Sequence, residues 1–126
     1  MDMGSECVTM VIAVVGSRTF TDYNTVCKVL DNYADTSDTI VSGGAKGADS
    51  LARRYANEHG LKLIEHLPDW KIHGRVAGFI RNELIVDDAD VMIAFWDGQS
   101  RGTQHSIDLA NRKHIQVHII KDRSTK

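Results

Sequence analysis

One proline occurs in 126 residues, and cysteine appears only twice. Cys7 and Cys27 stand apart without CxxC spacing, which excludes a disulfide scaffold and points to free thiols in a reducing cytoplasm. No apolar run is longer than the one from Met10 to Val15, and no basic region precedes it. A bilayer span needs roughly 20 apolar residues, so neither secretion nor membrane insertion is expected. Net charge is nearly absent as well, because 15 Lys and Arg against 17 Asp and Glu leave −2. That balance argues against obligatory tight binding to nucleic acid, whose backbone is gripped by clustered cations. Internal repeats and Ser/Pro-rich linkers are missing too, so the chain reads as one domain over residues 1–126, with residues 1–6 and 123–126 as flexible tips.

Glycine is what the chain has in quantity, ten residues in all, as expected of regular elements joined by tight turns. Thr9 to Val15 is a β-branched apolar run that stops at Gly16, the pattern of a strand buried on both faces. From Asp22 to Tyr33 the apolar positions Val26, Val29, Leu30 and Tyr33 recur at helical spacing, with Thr21 as N-cap. A strand at Thr39 to Val41 precedes a helix from Asp49 to His59 that ends at Gly60 and turns Leu51, Ala52, Tyr55 and Ala56 inward. A strand follows at Lys62 to His66, then a helix from Val76 to Val86 spaced through Phe79, Ile80, Leu84 and Ile85. Val91 to Phe95, a helix from about Gly102 to Lys113 and Gln116 to Ile120 complete the series. Strict strand and helix alternation calls for right-handed crossovers, hence a Rossmann-like three-layer α/β sandwich with a parallel sheet of about five strands. Such sheets bind ligands beyond the carboxyl ends of their strands.

The loops at those ends carry the chemistry. Gly16-Ser17-Arg18 offers a turn, a hydroxyl and a planar guanidinium suited to phosphate. Ser42-Gly43-Gly44-Ala45-Lys46-Gly47-Ala48-Asp49 runs into a helix, so backbone amides and the positive helix end converge as in a phosphate cradle. It matches neither the Walker A nor the GxGxxG pattern, and no cofactor is expected. Trp96-Asp97-Gly98-Gln99-Ser100-Arg101-Gly102-Thr103 repeats the arrangement. Trp96 could stack on a base, and Asp97 could accept from ribose hydroxyls or act as a base on water. Between the third and fourth strands lie Trp70, His73 and the pair Arg81-Asn82. Gly78, inside a helix, suggests that a ligand or another backbone comes close. Arg81 is assigned to the phosphate, its alternative being a surface pair with Asp87 or Asp88. His73 is the general acid or base candidate of that loop. The six histidines form no metal-ligand pattern, so no metal is expected.

Taken together, Gly16-Ser17-Arg18 with Phe20 and Asp22, the Ser42 to Asp49 loop, Pro68-Asp69-Trp70, Gly74, Ala77-Gly78, Arg81-Asn82, Ala89-Asp90 and Phe95 through Thr103 closely resemble the YspA-like members of the SLOG superfamily. The resemblance covers nearly the whole chain and implies a Rossmann-like fold that binds nucleotides or molecules derived from them. Gly102-Thr103 and Arg81 are also similar to the Lonely Guy phosphoribohydrolases, which cleave the glycosidic bond of nucleoside 5′-monophosphates. Their PGGxGTxxE loop departs here, with Gly98-Gln99-Ser100 in place of PGG and Ser106 in place of the glutamate. A hydrolase built on this chain would need another acid, for which Asp97 is the candidate, with Arg81 beside it. The Ser42 to Asp49 loop and Arg81-Asn82 are in turn similar to the DNA-processing protein A family, whose Rossmann domain binds single strands. The expected partner is therefore a phosphorylated nucleoside derivative, such as a nucleotide or an NAD- or ADP-ribose-derived signal, that is hydrolysed, sensed or sequestered. Single-stranded nucleic acid ranks third. A homo-oligomer is expected, with Tyr23 or Trp70 at its interface.

Overall fold

A computed structural model describes residues 9–34 and 38–121. Cys7 and both of the expected flexible tips lie outside them. Five strands form one parallel sheet: β1 (Val11–Gly16), β2 (Thr39–Ser42), β3 (Lys62–Glu65), β4 (Val91–Trp96) and β5 (Gln116–Lys121). Between them run α1 (Tyr23–Tyr33), α2 (Ala48–His59), the single turn α3 (Trp70–His73) with a tight turn at Gly74–Val76, α4 (Ala77–Asp88) and α5 (Arg101–Arg112). The order across the sheet is β3-β2-β1-β4-β5. The chain thus winds outward from β1 in one direction, returns, and winds outward through β4 in the other. A crevice opens beyond the carboxyl ends of β1 and β4, where the winding reverses.

Alternation within each strand builds two cores. Ile12, Val14, Ile40, Ile93 and Phe95 face one side, with Val26 and Leu30 of α1 and Ala52, Tyr55 and Ala56 of α2. Ala13, Val15, Val41, Met92 and Ala94 face the other, with Ile85 and Val86 of α4 and Ile107, Leu109 and Ala110 of α5. Strands covered on both faces need apolar residues at every position, which is why β1 and β4 are continuous apolar runs without alternation. Among the described residues no helix is long and apolar enough to cross a membrane. Cys27 is a free, half-buried thiol.

Local details differ from the sequence expectation where side chains compete for the same job. Asp22, not Thr21, caps α1: its carboxylate accepts from the backbone N–H of Thr25 at 3.1 Å and from the Thr25 hydroxyl. A carboxylate is the stronger acceptor and favours the positive helix end. Asp69 likewise accepts from Ile72 N–H and starts α3 inside a segment expected to be a loop. Along α4, Phe79 and Leu84 are not core residues but remain 49% and 44% exposed. The helix rests on the sheet through Ala77, Ile85 and Val86, and buries the polar Asn82 toward the crevice, which turns Phe79 and Leu84 outward. Tyr23 is engaged within the chain, its hydroxyl donating to Glu58 at 2.7 Å and its ring lying under the Arg54 guanidinium.

The loop after β1 and the loop after β2 touch main chain to main chain. Ala48 N–H donates to the Ser17 carbonyl at 3.2 Å, and Gly47 sits at φ +76° against the Ser17 and Arg18 backbone. A side chain at position 47 would both occupy a strained conformation and run into those carbonyls. Gly47→Ala is therefore expected to lose at least about 2 kcal/mol of stability in urea denaturation. A loss of less than about 0.5 kcal/mol would mean that the two loops are not in contact.

Candidate functional site

Beyond the carboxyl ends of β1 and β4 lies a cleft of about 370 Å³. Its walls include Gly16, Ser17, Arg18 and Thr19 from the first loop, Ala45 and Asp49 from the second, Arg81, Asn82 and Ile85 from α4, and Asp97, Ser100, Gly102, Thr103 and Ser106 from the fourth loop and α5. An adjoining cavity of about 310 Å³ is lined by Arg18, Gly43, Gly44, Ala45, Lys46, Pro68, Trp70 and Arg81.

Most residues singled out in the sequence thus come together, and several do not. Ser42 is fully buried at the end of β2 and lines neither space. Its hydroxyl has no partner among the described residues. Gly47, Gly98, Arg101, His73 and Trp96 also stand outside both. The Trp96 indole N–H donates to the Ser100 carbonyl at 3.1 Å and the ring packs on the second core, so it braces the fourth loop. The Trp70 ring comes near Gly78, with its Cη2 in ordinary contact range of a Cβ built there. Thr19, Ser106, Ile85 and Pro68 were not singled out as ligand contacts. Ser106 had a readable signal, since it follows Thr103 by three positions and shares its helix face.

Ser17 ties the site together. Its N–H donates to the Phe95 carbonyl at 3.0 Å, its carbonyl accepts from Ala48, and its hydroxyl accepts from Asp97 N–H at 3.0 Å. Asp97 in turn receives the N–H groups of Gln99 and Ser100 on one oxygen, both at 2.8 Å. Those two donors, Gln99 foremost, hold its carboxyl below the ordinary aspartate value. A carboxylate held ionised accepts hydrogen bonds well and is a poor proton donor at neutral pH. The acid role considered for Asp97 is out of keeping with this environment. Ser106 donates to the Gly102 carbonyl at 3.3 Å.

The second loop differs from a plain phosphate cradle. Its Gly43 and Ala45 N–H groups both donate to one oxygen of Asp49 at 3.2 Å, so the loop closes on its own helix. Asp49 is buried, and burial raises its carboxyl against the opposing pull of those amides and of Arg81. Arg81 donates from Nη1 to the Gly43 carbonyl at 2.7 Å and from Nε to Asn82 Oδ1 at 2.9 Å. Asn82 Nδ2 reaches the Gly102 carbonyl at 3.3 Å and His105 Nδ1 at 3.2 Å. The surface alternative for Arg81 does not occur: Asp87 is taken by Lys113 and Asp88 by His66. Burial lowers the Arg81 guanidinium, Asp49 opposes, and the neighbouring positive charge of Arg18 lowers it further. Among the described residues neither Arg18 nor Arg81 forms an ion pair. Nor do any three His, Cys, Asp or Glu side chains group as metal ligands there.

Asp49 gives the site a pH signature. With its carboxyl raised in the folded state, the folded chain takes up a proton that the unfolded chain does not yet hold, so stability from this residue grows as pH falls toward the unfolded value. Urea midpoints between neutral pH and about pH 4 are expected to move in favour of the wild type over Asp49→Asn as the pH is lowered. An unchanging difference would mean that Asp49 is not under strain from burial.

Comparison with known proteins accords with this geometry. Residues 10–73 match the profile of the YspA, cpYpsA-related SLOG family. The Gene 61 protein of Mycobacterium phage D29 is 36% identical over 115 residues, covering 84% of this chain and 92% of that protein. In three dimensions the chain is similar to DNA processing protein A from Helicobacter pylori, with a TM-score of 0.68 at 22% identity over 93% of this chain and 67% of that one. The Streptococcus pneumoniae protein of the same name gives 0.71 at 23% identity over 90% of this chain, which spans 50% of its length. At these identities the two structures show a shared Rossmann-like fold. With the profile covering half of the chain and the phage protein most of it, the chain belongs to the YspA, cpYpsA-related SLOG family.

Proposed function

We propose that this protein binds a phosphorylated nucleoside derivative in the cleft between β1 and β4, with the phosphate against Arg18 and Arg81. Membership in the SLOG family and the fold shared with DNA processing protein A support nucleotide or nucleic-acid binding as the general activity. The observation that carries the finer reading is the pair of guanidiniums at the cleft, neither of which forms an ion pair among the described residues although Asp49 acts on Arg81 from its buried place, beside a carboxylate that is held ionised. Arg18 is exposed and Arg81 half-buried, and a guanidinium at the wall of a cleft attracts an anion of matching shape with its planar fork. Asp97 then offers an acceptor to ribose hydroxyls, while Asn82, bonded to Arg81, Gly102 and His105, holds the Arg81 guanidinium in place. Because Asp97 lacks the character of a proton donor and Ser106 supplies no carboxyl, binding without glycosidic hydrolysis is the form of the reading that the residues support best. A sensor or a sponge of a nucleotide signal follows from it.

A second reading rests on the fold. The Helicobacter pylori protein was described for its mode of binding single-stranded DNA, and this chain shares its architecture. Salt separates the two: a strand held at several phosphates loses affinity steeply with ionic strength, whereas one nucleotide in a pocket shows a shallow slope.

In calorimetric titrations with a panel of nucleoside 5′-monophosphates, Arg81→Ala is expected to weaken binding by about 30-fold or more, equivalent to about 2 kcal/mol. The corresponding nucleosides should change far less. Arg18→Ala, which removes no hydrogen bond among the described residues, is expected to act in the same direction without lowering the melting temperature. Unchanged affinity for every nucleotide that binds the wild type would rule out the anion role.

A further inference from the structure

The cleft and its neighbour are parts of one surface, because Arg18, Ala45 and Arg81 belong to the walls of both. At about 370 and 310 Å³ each lies near the small end of the roughly 300–1,000 Å³ range of ligand pockets, room for about one nucleoside apiece. Their chemistry differs. The first presents Asp97 and Thr103, groups that suit sugar hydroxyls, while the second presents the ring of Trp70, which is 56% exposed and has no aromatic partner among the described residues. The ring lies beside α4 at Gly78, in ordinary contact range of a Cβ built there. Between the two chemistries stand two guanidiniums of like charge, neither in an ion pair among the described residues.

We propose that the ligand is a dinucleotide, two nucleosides joined through a pyrophosphate, with the pyrophosphate across Arg18 and Arg81, one nucleoside beside Asp97 and the other base stacked on Trp70. The inference rests on the anion site proposed above and adds its second half. A pyrophosphate brings about two negative charges to a place where two cations repel each other, and its two ends point into chemically different rooms. A polynucleotide strand fits less well. It would need cations continuing past the junction on both sides, yet beyond Arg18 and Arg81 the first space is walled by the carboxylates of Asp49 and Asp97 and only the second adds a cation, Lys46.

The test compares the four symmetric dinucleoside pyrophosphates with their mononucleotides on the wild type by calorimetry, and assigns to Trp70 the part of the tryptophan fluorescence change that Trp70→Ala abolishes. At least one dinucleotide is expected to bind about tenfold or more tightly than its mononucleotide and to quench Trp70. Trp70→Ala, a change at an exposed position, should bring that dinucleotide down to mononucleotide affinity. If mononucleotides bind as tightly as every dinucleotide, the two-room ligand is overturned while the anion site stands. If nothing in either series binds, the anion site falls with it. Tighter binding of an oligothymidylate than of any dinucleotide, with a steep loss in salt, would overturn the proposal in favour of a strand.

Discussion

Ser17 is the contact on which the site depends. Gly16 pairs in register with Phe95, which brings the ends of β1 and β4 level. One residue later the Ser17 backbone binds Phe95 and Ala48, and its hydroxyl binds Asp97. A buried serine at that point locks three loops that are far apart in sequence. Glycines make the approach feasible: a Cβ at Gly16 would meet Ala48 and Phe95, and one at Gly47 would meet the Ser17 and Arg18 backbone. The loops that carry polar groups are thus held by backbone contacts, and the side chains of Arg18, Asp97 and Thr103 are left to face the cleft.

Charge is distributed around this lock with two opposite tendencies. Asp97 receives two amides on one oxygen and stays ionised in a partly exposed position, whereas Asp49 is buried beneath its own loop and resists ionisation. Arg81 is anchored by the Gly43 carbonyl at Nη1 and by Asn82 at Nε, and its Nη2 makes no hydrogen bond among the described residues. Anchoring on one edge fixes a guanidinium in orientation, which lowers the entropy cost of engaging a ligand on the other. On the reading proposed above, the cavity serves as an acceptor for an anion more than as a proton-transfer centre.

The alternation of strands and helices and the three layers were legible in the sequence because both depend on long-range patterns that few alternatives satisfy, whereas the order of strands across the sheet was not read from it. β1 and β4 are apolar at every position, and such strands fit only a sheet covered on both faces. The gathering of Arg18, Asp49, Arg81, Asn82 and Asp97 at one edge followed from the rule that strand carboxyl ends host ligands. What stayed hidden was the competition between neighbouring side chains. Thr21 and Asp22 are both good caps, and only the geometry of the turn selects Asp22. The second loop has the composition of a phosphate cradle, but Asp49 reaches back to take two of its amides, an intraloop bond that spacing does not reveal. In the sequence Trp96 is the tryptophan read as able to stack on a base, and Trp70 is a candidate ligand or interface residue. A bond from the Trp96 indole to Ser100 holds one in place, and the short α3 turn exposes the other.

The most direct check of a ligand site at the β1/β4 crevice is a map of backbone amide chemical shifts during titration with the nucleotide that binds most tightly. The account predicts the largest changes at Ser17, Arg18 and Thr19, at Arg81 and Asn82, and at Gly102 and Thr103. Changes centred elsewhere, for instance along the outer faces of α1 and α2 with these amides unmoved, would contradict it.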